Sequence, residues 1–158
     1  MVKVCILTGY GINSDYESKH AFDLAGADLV KRVHLKTLIT KHDKLDNYHI
    51  LMLPGGFAFG DHLGSGRIMG NKFRFNLEAE LNRFIAEKKL IFGVCNGFQI
   101  LVKMGVLPAL KNIQNQTVSL VENNSGHYED RWVRLQVHPS PCIWTKNYET
   151  FVDVPVRH

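Results

Sequence analysis

The 158-residue sequence predicts an α/β fold, a three-layer sandwich in which helices cover both faces of a central, mostly parallel sheet. Three apolar runs carry this prediction: Val2–Leu7, His49–Leu53 and Leu90–Val94. Each is apolar almost throughout, as strands buried on both faces of a parallel sheet are. Amphipathic helical patterns lie between the runs, and this alternation is typical of α/β proteins.

The chain alternates between strand and helix as far as Gly105. We expect strands at Val2–Leu7, Arg32–Leu35, His49–Leu53 and Leu90–Val94, and helices at Asp15–Ala25, at Phe75–Glu87 and directly after Cys95. Turn residues separate them: Gly26, Asp46-Asn47, and a loop from Pro54 to about Lys72. Apolar residues at helical spacing are expected on the inner faces: Phe22, Ala25 and Leu29; Leu77, Leu81, Phe84 and Ile85; and Phe98, Leu101, Val102 and Gly105.

The last third has a different pattern. Thr117–Glu122 and Trp132–Val137 resemble two strands in hairpin register, so the sheet is expected to become mixed. Phe151–Val156 is a further strand-like run. No repeat or linker interrupts the sequence, and its length suits one domain over residues 1–158.

Composition argues against several classes of protein. The net charge is +4, but the basic residues are scattered, whereas nucleic-acid binding needs a clustered stripe. Three cysteines without C-x-x-C spacing favour neither a disulfide framework nor a zinc site, and they suit a reducing cytoplasm. No apolar stretch is long enough to span a bilayer. Asp61-His62 lacks the further ligands of a metal site, so we expect no metal.

The most informative motif joins a strand to a helix at Cys95. Gly93-Val94-Cys95-Asn96-Gly97 has the form G-x-C-x-G of a nucleophile elbow, a tight turn that exposes the side chain at its centre. The turn sets Cys95 at a helix N terminus, where free N–H groups favour a thiolate. The alternative is a small buried cysteine between strand and helix.

Two other loops end at the same predicted sheet edge as Cys95. Thr8-Gly9-Tyr10-Gly11 follows the first strand and Pro54-Gly55-Gly56-Phe57 the middle one, and ligands of open parallel sheets bind beyond the carboxyl ends of strands. The two glycines after Pro54 can turn a backbone N–H towards a neighbouring site, and together with the N–H of Asn96 it would form an oxyanion hole. Pro-Gly-Gly alone is more often only a turn.

These motifs closely resemble class I glutamine amidotransferase domains, which have a flavodoxin-like fold. The matching segments are Leu53-Pro54-Gly55-Gly56-Phe57, Gly60-Asp61 and Gly93-Val94-Cys95-Asn96-Gly97-Phe98-Gln99-Ile100-Leu101. Within that family the chain resembles the glutaminase subunits of phosphoribosylformylglycinamidine synthase. The segments that support the narrower match are Gly11-Ile12-Asn13-Ser14-Asp15, Asn124-Ser125-Gly126-His127-Tyr128-Glu129 with Arg131-Trp132-Val133, and Val154-Pro155-Val156-Arg157-His158. Ser14 stands where the family often has cysteine, and His127 and Tyr128 replace its usual Arg and Phe.

The resemblance implies a chemistry. Cys95 attacks the side-chain amide of glutamine, Gly56 and Asn96 hold the oxyanion, and His158 transfers protons. The resemblance also suggests residues that bind glutamine: Gln99, Phe57, Ser125, His127 and Tyr128. It implies that the chain itself needs no cofactor. The released ammonia would pass to a synthetase subunit that uses ATP and Mg²⁺ in purine biosynthesis, with a small accessory subunit as a further partner.

Two other functions fit the same architecture. One is a cysteine hydrolase of the DJ-1 type, which has a similar elbow but lacks the Asn-Gly-Phe-Gln continuation. The other is a catalytically silent module that docks on a synthetase. The glycine-rich segment Gly60–Lys72 misses the G-x-G-x-x-G spacing of a phosphate loop and is expected to be flexible, near the active-site mouth or the partner.

The family pattern continues as His-x-Glu, whereas the sequence stops at His158. We expect either a piece of a longer enzyme, which we favour, or a shortened protein that keeps its binding surfaces. Loss of the orienting carboxylate costs a catalytic triad several powers of ten in rate. Adding a native C-terminal extension is therefore expected to raise glutaminase turnover sharply, and equal turnover with and without it would reject this idea.

Overall fold

The computed structural model describes residues 1–109, 115–148 and 150–158. They form two compact units, Met1–Leu120 and Val121–His158. The strands are β1 (Lys3–Thr8), β2 (Leu29–His34), β3 (Ile50–Leu53), β4 (Leu90–Gly93), β5 (Asp130–Gln136) and β6 (Phe151–Arg157). The helices are α1 (Asp15–Leu24), α2 (Leu35–Ile39), α3 (Arg67–Ala86) and α4 (Asn96–Met104).

The first unit is built on a four-stranded sheet in the order β2-β1-β3-β4, with every neighbouring pair parallel. This confirms the predicted α/β class and the mostly parallel sheet. The central strand β1 is buried on both faces, because Cys5 and Leu7 point to one side and Val4 and Ile6 to the other. The carboxyl ends of β1, β3 and β4 therefore meet at one edge.

The main core lies between the sheet and three helices. Helix α3 contacts α2 and α4, while α4 packs on β3 and β4. Leu77, Leu81 and Phe84 are buried as predicted. The fully buried Met69 and Phe73 lie in the first half of α3, which the sequence pattern assigned to a loop. The start of α3 was not predicted because glycine-rich sequence normally indicates a loop. Here Gly66 is the N-cap residue, and the helix begins one residue later.

Other predicted boundaries were wrong. Helix α1 ends at Leu24, and Gly26 reverses the chain with φ +82°, so Ala25 is exposed and Leu29 opens β2. Strand β2 begins at Leu29 instead of Arg32, because it pairs with β1 along its whole length. In α4, Leu101 and Val102 are buried as predicted, but Phe98 is 41% exposed and does not belong to the inner face. Among the described residues, no helix combines the length and apolar character needed to cross a bilayer.

The second unit contains a two-stranded antiparallel sheet of β5 and β6. Arg134 and Asp153 face each other across this sheet and form a bidentate ion pair, with both N–O distances 2.8 Å. The predicted hairpin of Thr117–Glu122 with Trp132–Val137 is wrong, since 117–122 is not a strand and β5 pairs with β6 instead. In the described residues the predicted mixed sheet is replaced by two separate sheets.

A buried carboxylate stabilises the turn between α2 and β3. Asp43 is only 6% exposed. It accepts hydrogen bonds from Lys31 Nζ at 2.6 Å, Tyr48 OH at 2.7 Å, the Lys44 amide at 2.8 Å and Asn47 Nδ2 at 3.1 Å. Burial alone would raise the pKa of Asp43, but the hydrogen bonds prevail and lower it from 3.8 to about 2.

The substitution Asp43→Asn is therefore expected to lower the free energy of unfolding at pH 7 by about 2 kcal/mol. A lowered folded-state pKa gives stability that is present above pH 4 and lost as the pH falls towards 2, so the variant should also lose part of the acid dependence in that window. Urea unfolding across this range measures both effects. Asp23→Asn, in an exposed pair with Lys19, is the control and should change stability by less than about 0.5 kcal/mol. Parallel pH curves for Asp43→Asn and wild type would contradict the assignment.

Candidate active site

The turn between β4 and α4 presents Cys95 at the carboxyl edge of the sheet. Cys95 has φ 54° and ψ −117°, a conformation that L-residues rarely adopt, and it is exposed. Such strain costs about 1–3 kcal/mol and persists only where the surroundings enforce it. The backbone on both sides is fixed, because Val94 N–H donates to Leu53 O at 3.1 Å and Gln99 N–H donates to Cys95 O at 3.1 Å. The residue with this exceptional backbone is thus the predicted nucleophile.

Two glycines make the sharp turn possible. A β-carbon on Gly97 would lie 1.8 Å from the carbonyl oxygen of Leu53, so α4 approaches the end of β3 more closely than any side chain allows. A β-carbon on Gly93 would lie 2.6 Å from Leu101 Cδ1. The G-x-C-x-G spacing therefore reflects contacts with strand and helix on both sides of Cys95.

The corner after β3 lies against the nucleophile. A β-carbon built on Gly55 would be 3.3 Å from Cys95 Cβ and 3.8 Å from Cys95 Sγ. Gly56 has φ +145°, and a β-carbon there would approach Gly11 O to 2.4 Å. The Pro-Gly-Gly segment is thus a corner whose glycine backbone lies beside the thiol, with the Ser14 hydroxyl 3.4 Å from the position of a β-carbon on Gly55.

The loop after β1 lies at the same carboxyl edge of the sheet and forms hydrogen bonds with the corner after β3. The amides of Asn13 and Ser14 both donate to Gly55 O at 3.3 Å, and Phe57 N–H donates to Gly11 O at 2.7 Å. The structure therefore brings together the three loops that the sequence placed at one edge. Phe57, predicted to contact substrate, is 60% exposed.

The predicted oxyanion donors are the amides of Gly56 and Asn96. Neither donates to a backbone carbonyl among the residues that the structure describes. The Asn96 amide opens α4, where helix geometry provides no acceptor for the first N–H groups. Two backbone amides without a carbonyl acceptor, one next to Cys95 in the chain and one in the corner beside it, are chemically suited to a negative oxygen, and their roles here stay predictions.

The side chain of Asn96 forms contacts that the sequence did not predict. It is fully buried and accepts a hydrogen bond from Ala58 N–H at 3.0 Å. Its amide group donates to Asp61 Oδ1 at 3.2 Å and to Gln99 Oε1 at 3.0 Å. The sequence analysis assigned a role only to the backbone N–H of Asn96. The one sign in the sequence that the side chain has a role is that a polar residue stands where the helix is expected to pack on the sheet.

The three cysteines differ in environment. Burial raises the pKa of the Cys5 thiol, which keeps it protonated and inert inside the core. Cys142 is exposed in the second unit, where no described elbow holds it. The described residues contain no cluster of three or more His, Cys, Asp or Glu side chains suited to a metal ion.

The other predicted site residues lie in the second unit. His158 follows β6, and its amide donates to Glu129 O at 3.1 Å. Its side chain is exposed, as is that of Tyr128. His127 Nδ1 lies 2.9 Å from Ser125 O. Hydrogen bonds from Ser125 and Arg131 lower the pKa of Glu129. The assignment of these residues to glutamine binding and proton transfer stays a prediction.

The substitution Gly97→Ala tests the close approach at the elbow. We expect it to lower the free energy of unfolding by about 3 kcal/mol, because the new methyl group and the Leu53 carbonyl cannot occupy the same space. Gly70→Ala in α3 is the matched control: its β-carbon meets Lys103 Cβ at 3.3 Å, which small shifts relieve. Denaturant unfolding of both variants measures the difference, and equal losses would contradict the geometry.

Known proteins are similar to this chain in sequence and in fold. The family of CobB/CobQ-like glutamine amidotransferase domains matches residues 1–158. Phosphoribosylformylglycinamidine synthase subunit PurQ of Dehalococcoides mccartyi is 43% identical over 158 residues, which cover 99% of this chain and 61% of the relative. The same subunit of Methanococcus maripaludis strain C5 is 41% identical over 157 residues, or 99% of this chain and 58% of the relative.

A solved structure agrees with these sequence relationships. A chain in the structure of PurLQS from Thermotoga maritima is 31% identical, with a TM-score of 0.78, over 99% of this chain and 66% of that one. The chain thus spans about three fifths of the length of the curated relatives named above. The resemblance inferred from the elbow and the Pro-Gly-Gly corner is confirmed: this chain belongs to the family of CobB/CobQ-like glutamine amidotransferase domains.

Proposed function

We propose that this chain hydrolyses glutamine to glutamate and ammonia through a thioester on Cys95. The observation that carries the proposal is the position of Cys95, exposed on a turn of φ 54° with the side-chain-free corner at Gly55 against its Sγ. A cysteine held out from the sheet beside free amides is built for attack on a carbonyl carbon. Family membership supports glutamine as the source of that carbonyl.

The reaction proceeds in two halves. The Cys95 sulfur bonds to the side-chain carbonyl carbon of glutamine, and the carbonyl electron pair moves to oxygen, which the amides of Gly56 and Asn96 stabilise. His158 takes up the Cys95 thiol proton as the sulfur attacks. The oxygen electron pair then re-forms the carbonyl as the carbon–nitrogen bond breaks, and the nitrogen takes that proton from His158 and leaves as ammonia, so that a thioester remains on Cys95. Water, deprotonated by His158, attacks the thioester, and glutamate departs as the sulfur is restored. Each oxyanion donor contributes roughly 10²–10³ in rate.

Five residues are proposed to bind glutamine, and they come from both units. Gln99 lies one turn beyond Cys95 on α4 and is half-buried, and Phe57 flanks the corner. These two belong to the first unit, while Ser125, His127 and Tyr128 belong to the second. Family resemblance supports their role in binding the glutamine backbone.

We further propose that the ammonia serves the synthetase of phosphoribosylformylglycinamidine synthase. The relatives named for that enzyme and the chain of the PurLQS structure support such an assembly. ATP and Mg²⁺ then belong to the synthetase reaction, and the chain needs no cofactor for hydrolysis. A small accessory subunit is the remaining expected partner. The reducing cytoplasm suits this role because it keeps the Cys95 thiol unoxidised.

Two alternative functions can be distinguished from the proposed one. A DJ-1-type hydrolase is not favoured, since the family that matches the whole chain is one of amidotransferases. A catalytically silent module would share the fold and still bind a synthetase. Ammonia release from glutamine separates it from an active subunit.

The substitution Cys95→Ser is expected to abolish ammonia release while leaving the fold nearly intact, because oxygen replaces sulfur in the same space but is a far weaker nucleophile at neutral pH. Ammonia is measured from glutamine with and without the synthetase subunit. Cys142→Ser, which removes the other exposed thiol, is the control and should keep full activity. Hydrolysis retained by Cys95→Ser would show another nucleophile, and a silent wild-type complex would support the binding module.

A further inference from the structure

The corner that carries the proposed oxyanion donor is held by one buried side chain. We propose that Asn96 and Asp61 form a positioning pair that fixes this corner against Cys95, so that the side chain of Asn96 acts on the reaction through the Gly56 amide. The inference rests on the proposed function, and it adds a role that neither the elbow motif nor its backbone amide requires.

The contacts of Asn96 leave it little freedom. Its side chain is fully buried, with Oδ1 accepting from Ala58 N–H and Nδ2 donating to both Asp61 Oδ1 and Gln99 Oε1. An unpaired polar group in such a place costs about 1–3 kcal/mol, so the three hydrogen bonds fix the orientation of the amide. The carboxylate of Asp61 can only accept a hydrogen bond, and the Ala58 N–H can only donate one. The Asn96 side chain must therefore point its Nδ2 to Asp61 and its Oδ1 to Ala58.

Ala58 follows the corner by two residues. Its amide is bound to Asn96, while Gly55 O is bound by the amides of Asn13 and Ser14. The corner is therefore fixed from both sides, by α4 at its end and by the loop after β1 at its start. Gly56, whose amide is the proposed donor, lies between these two attachments.

The strained backbone next to the corner supports this role. Phe59, Gly60 and Asp61 have φ values of 55°, 67° and 53°, so three successive residues lie in the left-handed region. For Phe59 and Asp61 this conformation is unfavourable, and it persists where neighbouring contacts enforce it. The hydrogen bond from Asn96 to Asp61 is one such contact. The amide of Gly66, at the start of α3, also donates to Asp61 Oδ1, at 3.3 Å.

The pair thus connects three elements at the site. Asn96 stands on the first turn of α4, Ala58 continues from β3, and Asp61 leads through Gly66 into α3. A shift of about 1 Å in a catalytic donor can lower a rate about 100-fold. Loss of the pair should therefore act mainly on turnover, because the oxyanion exists after substrate has bound.

The test uses the full chain with its synthetase partner and three variants. In Asn96→Asp the donor to Asp61 becomes a second carboxylate, and the two repel. In the double variant Asn96→Asp with Asp61→Asn, the donor and acceptor exchange places, and the new carboxylate at position 96 can still accept from Ala58 N–H. The matched control is Asn47→Asp. The Asn47 side-chain amide donates to the carboxylate of Asp43 at 3.1 Å, so this variant also replaces an amide donor by a carboxylate, at a position far from Cys95 in the sequence.

We expect Asn96→Asp to lower kcat for ammonia release about 100-fold. The KM for glutamine should change by a smaller factor, because of the three contacts of Asn96 only the one with Gln99 involves a residue assigned to glutamine binding. The double variant should recover kcat to within about tenfold of wild type, and Asn47→Asp should lose stability but keep kcat. Hydrogen exchange of the Ala58 amide provides a readout independent of turnover: it should accelerate in Asn96→Asp and slow again in the double variant.

Three outcomes would overturn the inference: a folded Asn96→Asp variant with kcat near wild type, a folded double variant no better than the single one, or equal loss of kcat in Asn47→Asp. If Asn96→Asp does not fold, the double variant decides, since it must fold and hydrolyse glutamine. A wild-type complex that releases no ammonia contradicts the proposed function instead, while the exchange of the Ala58 amide still reports on the pair.

Discussion

The candidate site depends on a close approach between α4 and the end of β3. Gly97 has no β-carbon, and this lets the helix lie against the Leu53 carbonyl where any side chain would collide. The same carbonyl accepts from Val94 N–H, so the turn before Cys95 is attached to the neighbouring strand. The strained backbone of Cys95 follows from these two constraints, because the chain must pass from β4 to α4 within two residues.

Backbone surrounds the thiol on the side of β3. Gly55 lies against Cys95, and Gly56 adopts a conformation and a contact with Gly11 that only glycine allows. Hydrogen bonds to Asn13, Ser14 and Asn96 fix this segment, and the Ser14 hydroxyl lies beside it, 3.4 Å from the position of a β-carbon on Gly55. A site built from backbone amides on packed loops is pre-organised, which is what stabilisation of a developing oxyanion requires.

Sequence reasoning located the strands and the elbow because their signals are local. Apolar runs report buried parallel strands, and the glycines around Cys95 report the sharp turn. The start of α3 was missed since glycine-rich sequence normally indicates a loop, whereas Gly66 here allows close packing on α4, where a β-carbon would lie 2.7 Å from the Ile100 amide nitrogen. The role of Asn96 depends on residues 35 and 38 positions away, Asp61 and Ala58, which no local pattern contains. The pairing of β5 with β6, likewise, depends on partners distant in sequence.

The central claim is that Cys95 itself becomes acylated by glutamine. Rapid acid quenching of the chain with the proposed synthetase during turnover, followed by peptide mass spectrometry, tests it directly. The structure predicts a γ-glutamyl group on the peptide that contains Cys95 and none on the peptides with Cys5 or Cys142. Ammonia released without acylation of Cys95, or acylation of a different residue, would contradict the account.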